Sequence, residues 1–122
     1  MRIYIAGSYS DSNVINILNN IHEGIRVSAK ILKAGHEPFC PFLDYQFQFF
    51  DNTLTVEDYY RYSIAWLEVS DIMVVLPYSD TSRGTQKEII RAMELDIPVV
   101  NYIDEIPFET LINIYTGTTN SL

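Results

Sequence analysis

The stretch Asp71-Ile72-Met73-Val74-Val75-Leu76 decides the fold class of this chain. Five apolar residues follow an aspartate without interruption, which is typical of a strand that is covered on both faces. Strands of this kind belong to parallel sheets that carry helices on each side. The stretch therefore predicts an α/β fold.

A helix is predicted on each side of this strand. Residues 55–70 form the first, with Thr55 as N-cap and Asp58 at the third helical position as a near capping box. Residues 82–95 form the second, which Ser82 begins. Helix, strand and helix in this order are typical of parallel strands joined by crossover helices.

The rest of the chain repeats this alternation. Further strands are predicted at residues 2–6, 36–40 and 97–101, and further helices at 11–33 and 107–115. Residues 42–52 are aromatic and irregular, so a long loop with a short helical turn is expected there. This alternation implies one domain over residues 1–122 with a mostly parallel sheet and right-handed crossovers.

The helix at 11–33 has a recognisable start, apolar face and end. Asp11, Ser12 and Asn13 offer N-caps, and Ala34-Gly35 ends the helix. Its apolar residues recur at helical spacing, as Val14, Ile17, Leu18, Ile21, Ile25, Ala29 and Leu32. We expect this set to pack on the sheet.

The chain of 122 residues is acidic, with a formal net charge of −8. This argues against a nucleic-acid polymer as partner, because such binding needs a basic face that releases counterions. A small phosphorylated ligand is compatible with the charge, since backbone N–H groups at a helix start can hold one phosphate.

Composition also bears on location, cofactors and metals. The longest apolar runs are too short to span a bilayer, and the chain enters a strand directly, without the pattern of a signal peptide. Cys40 is a single cysteine and has no intrachain disulfide partner. These features predict a cytosolic protein that has no membrane as partner.

His22 and His36 lack metal-ligand spacing, so no metal is expected, and no cofactor is required.

Ligands of parallel sheets bind at the carboxyl ends of the strands. Three segments should therefore converge, namely Gly7-Ser8-Tyr9-Ser10, the loop after Cys40, and residues 77–84.

The most informative segment is Ser79-Asp80-Thr81-Ser82-Arg83-Gly84-Thr85-Gln86-Lys87-Glu88. A helix start supplies free N–H groups for a phosphate, Ser82 adds a hydroxyl, and Gly84 permits close approach. If the first turn holds the phosphate of a nucleotide, Glu88 lies deeper, where its carboxylate could attack a sugar C1′. Spacing alone favours the ordinary interpretation, in which Ser82 is an N-cap and Glu88 a solvated helix residue.

The first strand runs into the turn Gly7-Ser8-Tyr9-Ser10, whose exposed N–H groups could close over a phosphate or sugar. The further glycines of a dinucleotide fingerprint and the Gly-Lys-Ser/Thr of a P-loop are absent from this turn. Tyr4 on the strand would ordinarily be a core residue, yet its hydroxyl could reach Glu88.

The helix before the apolar strand offers weaker candidates. Ile64, Trp66 and Leu67 are interpreted as its packing face. Tyr60 or Arg61 could face the cleft, although a solvated helix face is the default.

Several acids and one thiol remain. Four aspartates are loop or cap acids, namely Asp44, Asp51, Asp58 and Asp80. One of them could be a general acid, although most acids of this kind are simply solvated. Cys40 has no evident base beside it in sequence, and such a cysteine is more often a small buried hydrophobe than a nucleophile.

Taken in order, these segments resemble the nucleoside 2-deoxyribosyltransferase superfamily, in particular its nucleotide N-hydrolase branch and related small phage and bacterial domains of unassigned role. The resemblance extends from residue 1 to about residue 101. It is carried by Ile3-Tyr4-Ile5-Ala6-Gly7-Ser8-Tyr9-Ser10, Gly35-His36-Glu37-Pro38-Phe39, Ala65-Trp66-Leu67, Ser70-Asp71-Ile72-Met73-Val74-Val75 and Ser82-Arg83-Gly84-Thr85-Gln86-Lys87-Glu88 with Ala92.

The resemblance implies a flavodoxin-like (Rossmann-like) three-layer sandwich with four to five parallel strands. It also implies cleavage of an N-glycosidic bond, with Glu88 as nucleophile and Tyr4 placed to hydrogen-bond it. Nucleoside-using members carry an aspartate where this chain has Ser82, and nucleotide-using members carry serine. The implied partner is a small-molecule nucleotide whose 5′-phosphate lies against Ser82, Arg83 and Gly84, with Gly7, Ser8, Tyr9 and Ser10 completing the cradle. Members are commonly homodimers or higher oligomers.

One position departs from the family pattern. Active members usually carry an aspartate that serves the leaving base as acid, and the matching residue here is Ser63. Asp44, Asp58 or Asp80 could substitute for it. Two functions follow: an enzyme that hydrolyses, or transfers the sugar of, a (deoxy)nucleoside 5′-monophosphate, or a module that binds a nucleotide or ADP-ribose-type ligand without chemistry. A third, plainer alternative is an interaction domain that uses the aromatic residues 42–50.

Overall fold

The computed structural model describes residues 1–77, 79 and 82–116. Its strands are β1 (Arg2–Ala6), β2 (Glu37–Phe39), β3 (Ile72–Val75) and β4 (Val99–Asn101). Its helices are α1 (Val14–Lys33), α2 (Asp44–Phe47), α3 (Val56–Leu67), α4 (Arg83–Glu94) and α5 (Phe108–Thr116), and a 3₁₀ turn at Pro41–Leu43 precedes α2.

The four strands form one parallel sheet in the order β2-β1-β3-β4. Ile3 pairs with Ile72, and Tyr4 pairs with Phe39 on the other side of β1. The predicted α/β sandwich of flavodoxin-like type is confirmed, with four strands. β1 and β3 are central and covered on both faces, and accordingly β3 is apolar throughout and β1 is buried from Ile3 to Ala6.

Alternation along β1 divides the core into two layers. Ile3 and Ile5 face a cluster that includes residues of α1 and α5. Tyr4 and Ala6 face the opposite cluster, to which α3 and α4 contribute Leu67 and Ala92. Because successive strand residues point to opposite faces, Tyr4 points to the face that carries α3 and α4, the helices that precede and follow β3 in the chain.

Helix α1 packs on the sheet through a face that shares Ile21 with the expected one but otherwise differs from it. Val14, Leu18, Ile25 and Leu32 are exposed, whereas the buried residues are Gly24, Val27 and Ile31. A Cβ on Gly24 would lie 2.7 Å from Phe42 Cδ2, so the absence of a side chain lets the helix approach the ring. Packing against the aromatic segment after β2 therefore overrides the apolar periodicity.

Other boundaries differ by a few residues. Strands β2 and β4 are shorter than the predicted 36–40 and 97–101. The predicted loop at 42–52 contains the end of the 3₁₀ turn and α2. Trp66, expected in the packing face of α3, is half exposed and stacks on Phe39 at 5.1 Å between ring centroids. None of the described helices is long and apolar enough to cross a membrane.

Candidate functional site

A pocket of about 440 Å³ opens at the carboxyl end of β1. Its walls come from the turn after β1, the 3₁₀ turn and α2, the first half of α3, and the start of α4. Of the residues singled out by sequence, it is lined by Gly7, Ser8, Tyr9, Ser10, Asp44, Tyr60, Ser63, Ser82, Arg83, Gly84 and Glu88. These segments are far apart in the chain and meet because parallel strands end at one edge.

Helix α4 supplies one wall. Ser82 is its N-cap, and the Ser82 hydroxyl accepts the backbone N–H of Thr85 at 3.2 Å. Thr85, Glu88 and Ala92 are the buried residues of the helix, at a spacing that puts them on one face. Glu88 is only 7% exposed, so it is not the solvated helix residue that spacing alone favours.

Tyr4 and Glu88 meet behind the pocket wall. The Tyr4 hydroxyl donates a hydrogen bond to Glu88 Oε2, and Tyr4 is completely buried. Strand β1 brings Tyr4 to this position because its side chain faces the layer to which α4 belongs. A carboxylate in the pocket is thus held by a neutral donor from the central strand.

Burial governs the protonation of this pair. It raises the pKa of Glu88 to about 7, against the lowering effect of the Tyr4 hydrogen bond, and the charge of Asp44 adds to the rise. Burial and the Glu88 charge both raise the pKa of Tyr4, so the tyrosine stays protonated as a donor. Near neutral pH the Glu88 carboxyl therefore exchanges between its charged and neutral forms.

Ser63 lies on the α3 side of Tyr4. It is buried, and its hydroxyl hydrogen-bonds the Tyr4 oxygen, which lowers the pKa of Tyr4 against the larger effects of burial and Glu88. Ser63 and Glu88 therefore have opposite effects on the pKa of the Tyr4 hydroxyl.

Asp44 lies at the β2 side of the pocket. Its side chain is 6% exposed, and Oδ1 has no hydrogen-bond partner among the described residues. Burial raises the pKa of Asp44, while hydrogen bonds from the Tyr9 hydroxyl and the Tyr45 backbone lower it. Tyr9 is fixed in turn by edge-to-face contacts with Phe42 and Tyr45, at 5.3 and 5.8 Å between centroids.

A second buried polar atom without a partner also lines this pocket. Thr85 Oγ1, in the first turn of α4, makes no hydrogen bond within residues 1–77, 79 and 82–116. Unpartnered buried polar atoms are costly, and they mark places where a ligand or water is expected to bind.

Sequence reasoning missed part of the lining. Pro41, Phe42, Val56, Tyr59 and Thr85 contribute to the pocket without having been singled out individually as site residues. Thr85 sits inside the α4 motif, and its helical spacing to Glu88 was an available signal. The side chain of Lys87 lies over the Tyr60 ring, 5.4 Å from its centroid, at the outer part of the site.

Asp58, one of the predicted acids, is not among the described residues that line the pocket. Asp58 forms the capping box with Thr55, accepting the Thr55 backbone N–H at 2.9 Å, and it also pairs with Arg61. Asp80 lies outside the described residues.

Burial raises the pKa of the Cys40 thiol to about 12, so the thiol stays protonated and packs beside the core.

Metal ligation has no candidate in the part of the chain that the structure describes, where His, Cys, Asp and Glu side chains form no group of three suited to an ion. The pocket lining offers hydroxyls, two carboxyls, aromatic rings, one arginine and the start of one helix. Such a set suits an organic ligand with a phosphate.

Comparisons with known proteins bear on the fold and the family. A sequence family described as "Domain of unknown function (DUF7768)" matches residues 1–102. No curated protein matches the chain. The fold is similar to the solved structure of a 2-deoxyribosyltransferase from the psychrotolerant bacterium Bacillus psychrosaccharolyticus, with a TM-score of 0.62 and 16% identity over 91% of this chain and 82% of that one.

Proposed function

The chain belongs to the DUF7768 family, and from its site we propose that it cleaves the N-glycosidic bond of a (deoxy)nucleoside 5′-monophosphate. Glu88 is the nucleophile in this proposal. The sugar passes either to water, as in a hydrolase, or to a second base, as in a 2-deoxyribosyltransferase.

The hydrogen bond between Tyr4 and Glu88 is the observation that carries the proposal. Buried carboxylates with a structural role are usually paired with a cation. The described groups that shift the Glu88 pKa, other than burial, are Tyr4 and Asp44, and neither is a cation. Burying a carboxyl group without a cation costs free energy, and carboxyl groups held in pockets in this way are typically reactive.

The chemistry follows from this arrangement. A carboxylate oxygen of Glu88 attacks C1′, the C1′–N bond breaks, and its electron pair leaves with the base. Tyr4 keeps the carboxylate oriented by its hydrogen bond to Oε2. Water or a second base then attacks C1′ of the glycosyl ester and restores the Glu88 carboxylate.

The start of α4 is the proposed phosphate seat. It offers free N–H groups and the positive end of the helix dipole, and Gly84 and Arg83 line the pocket beside it. The unpartnered hydroxyl of Thr85 is available to a phosphate oxygen. Because Glu88 follows Thr85 by one helical turn, the sugar of a nucleotide held here would lie against Glu88.

Fold similarity to a 2-deoxyribosyltransferase is consistent with this function. The resemblance found in the sequence adds that a homodimer or higher oligomer is expected, which light scattering on the purified protein would test.

A ligand-binding module is the second candidate. It is favoured by Ser63, which by the sequence resemblance stands where active members of the nucleoside 2-deoxyribosyltransferase superfamily usually carry an aspartate. Ser63 already interacts with the Tyr4 hydroxyl. In that case a nucleotide or ADP-ribose-type ligand would occupy the same pocket and leave intact.

One experiment separates the two candidates. The protein is incubated with a panel of ribo- and deoxyribonucleoside monophosphates, and free base is measured by chromatography. Base release that disappears in Glu88→Gln supports the enzyme. If no base is released while a nucleotide raises the melting temperature, the enzyme proposal is wrong and the binding module is supported.

A further inference from the structure

Asp44 is a second carboxyl group in the pocket, and the proposed attack by Glu88 does not involve it. Asp44 is only 6% exposed, and its Oδ1 has no hydrogen-bond partner among the described residues. A buried carboxyl oxygen without a hydrogen-bond partner destabilises the fold unless a ligand supplies that hydrogen bond.

We propose that Asp44 is the general acid that protonates the leaving base, in place of the carboxyl group that Ser63 lacks. This inference rests on the proposed function, since it needs a glycosidic bond that breaks at Glu88. It assigns the β2 side of the pocket to the base and the α4 side to the phosphate.

The sheet order supports this division. Strand β1 lies between β2 and β3, so its turn is flanked by the segment after β2 on one side and the start of α4 on the other. Asp44 belongs to the first flank and Ser82 to the second, and both line the same pocket as Glu88. A nucleotide whose C1′ lies at Glu88 and whose phosphate lies at α4 therefore extends its base toward Asp44.

The other candidates for the acid are less suitable. Ser63 carries a hydroxyl, which is far too weak an acid to protonate a base. Asp58 is held in the capping box with Thr55 outside the pocket lining, and its hydrogen bonds lower its pKa.

The surroundings of Asp44 favour keeping a proton in the pocket. Its own pKa is raised by burial, as that of Glu88 is. The described titratable groups that interact with it are all acidic or neutral, namely Tyr9, Cys40, Tyr59, Tyr62 and Glu88. Two carboxyls in one buried site disfavour double ionisation, so they hold one proton between them. The charge of Asp44 raises the pKa of Glu88, so the shared proton also occupies Glu88. Attack needs Glu88 ionised, so the productive form is the one in which this proton lies on Asp44.

The proton balance closes over one turnover. As the Glu88 oxygen bonds to C1′ and the C1′–N pair moves into the base, Asp44 gives its proton to the base and becomes a carboxylate. When water attacks C1′ of the ester, its proton passes to Asp44, and Glu88 leaves as a carboxylate. The net change is a nucleotide and water becoming a free base and a sugar phosphate.

A pair of leaving groups tests this role. The full-length protein and its Asp44→Asn, Glu88→Gln and Asp58→Asn variants are assayed on the best nucleoside monophosphate and on the p-nitrophenyl glycoside 5′-phosphate of the same sugar. p-Nitrophenolate leaves without protonation, so it makes a general acid unnecessary. Far-ultraviolet circular dichroism establishes that each variant is folded.

The expected result is selective. Asp44→Asn lowers base release by about 10²- to 10⁴-fold, while p-nitrophenol release changes by less than about threefold because that bond needs no acid. Glu88→Gln abolishes both reactions. The basic limb of the pH–rate profile disappears in Asp44→Asn, because the titrating acid is gone.

Other outcomes overturn the inference. Equal losses on both substrates in Asp44→Asn, or a selective loss in Asp58→Asn instead, would show that Asp44 is not the acid while the proposed function stands. If the wild-type protein releases neither product, the proposed function fails and the acid role fails with it.

A second variant serves if Asp44→Asn does not fold. Tyr9→Phe removes a hydrogen bond that lowers the pKa of Asp44. The basic limb of the pH–rate profile should then move to higher pH, and an unmoved limb contradicts the proposal.

Discussion

The Tyr4 hydroxyl donates a hydrogen bond to the Glu88 carboxylate, although 84 residues separate them in the chain. Tyr4 comes from the centre of the sheet and Glu88 from the second turn of α4, and both are buried. The bond therefore links a buried central strand of the sheet to the group that we propose as nucleophile.

Removal of this bond should shift the pH dependence of base release. The Tyr4 hydrogen bond lowers the pKa of Glu88 against the rise caused by burial, so Tyr4→Phe should raise that pKa above about 7. Less of the carboxylate is then ionised at a given pH. The acid limb of the pH–rate profile should move upward, with a greater loss of rate at pH 6 than at pH 8.

Tyr102→Phe is the matched control for this shift. Tyr102 is also a buried tyrosine, but it packs in the opposite core layer and its hydroxyl interacts with Asp104. Its removal should leave the acid limb in place. An unchanged limb in Tyr4→Phe would contradict the link between the tyrosine and the ionisation of Glu88.

Glu88 should also lower the stability of the fold at alkaline pH. Its pKa in the folded state is about 7 against an ordinary value of 4.5, so the folded state holds its proton more tightly than the unfolded state does. The stabilising contribution is complete below pH 4.5 and is lost as the pH rises through 7. Relative to Glu88→Gln, the wild-type protein should lose about 2 to 3 kcal/mol over this window.

Urea denaturation of both proteins at several pH values measures this difference. Glu57→Gln removes the same charge from an exposed position in the first turn of α3. Its stability difference from the wild type should stay nearly constant above about pH 5.5, since an exposed glutamate is already ionised there. A constant difference for Glu88→Gln as well would mean that burial does not perturb Glu88.

The sheet is predictable from the sequence because its signals are local. β3 and residues 3–6 of β1 are continuous buried runs, and these are the two central strands. Asn13, Thr55 and Ser82 were each identifiable as N-caps, and in the structure each side chain accepts a backbone N–H at its helix start. Local patterns of this kind do not depend on the rest of the fold.

The helix faces and the second acid are less predictable, because they depend on tertiary packing. The exposed apolar stripe of α1 follows helical periodicity as well as the buried face does, and the two are distinguished by tertiary contacts such as the approach of Gly24 to Phe42. Asp44 belongs to a segment without periodicity. It interacts with Tyr9 from the turn after β1, which no spacing rule connects to it.

Ser82 should determine whether a 5′-phosphate is tolerated. Ser82→Asp preserves the N-cap, since aspartate is also a strong capping residue, but it places a negative charge where the phosphate is expected. Repulsion should raise KM for the nucleoside monophosphate by about 10- to 100-fold. KM for the corresponding nucleoside should change little.

Ser82→Asn isolates the charge in this comparison. Asparagine caps the helix equally well and has nearly the shape of aspartate. It should affect KM for the nucleotide far less than Ser82→Asp does. Equal effects of the two substitutions on nucleotide and nucleoside would place the phosphate elsewhere in the pocket.

Gly24 should be required for the packing of α1 behind the pocket. A Cβ there would lie 2.7 Å from Phe42 Cδ2 and 2.9 Å from Cys40 Sγ, closer than real contacts allow. Overpacking of this kind costs about 1 to 3 kcal/mol, against a gain of about 1 kcal/mol from replacing glycine inside a helix. Gly24→Ala should therefore lower the free energy of unfolding by about 1 kcal/mol.

Gly84→Ala makes the same chemical change where there is space. The nearest atom to a Cβ on Gly84 is Ser82 Oγ at 4.0 Å, so the helix gain should appear without a packing cost. Urea denaturation should show Gly84→Ala at least as stable as the wild type and Gly24→Ala less stable. If Gly24→Ala is also stabilised, the Phe42 ring has moved to accommodate the methyl group. Because Phe42 lines the pocket, KM for the nucleotide should then change in Gly24→Ala.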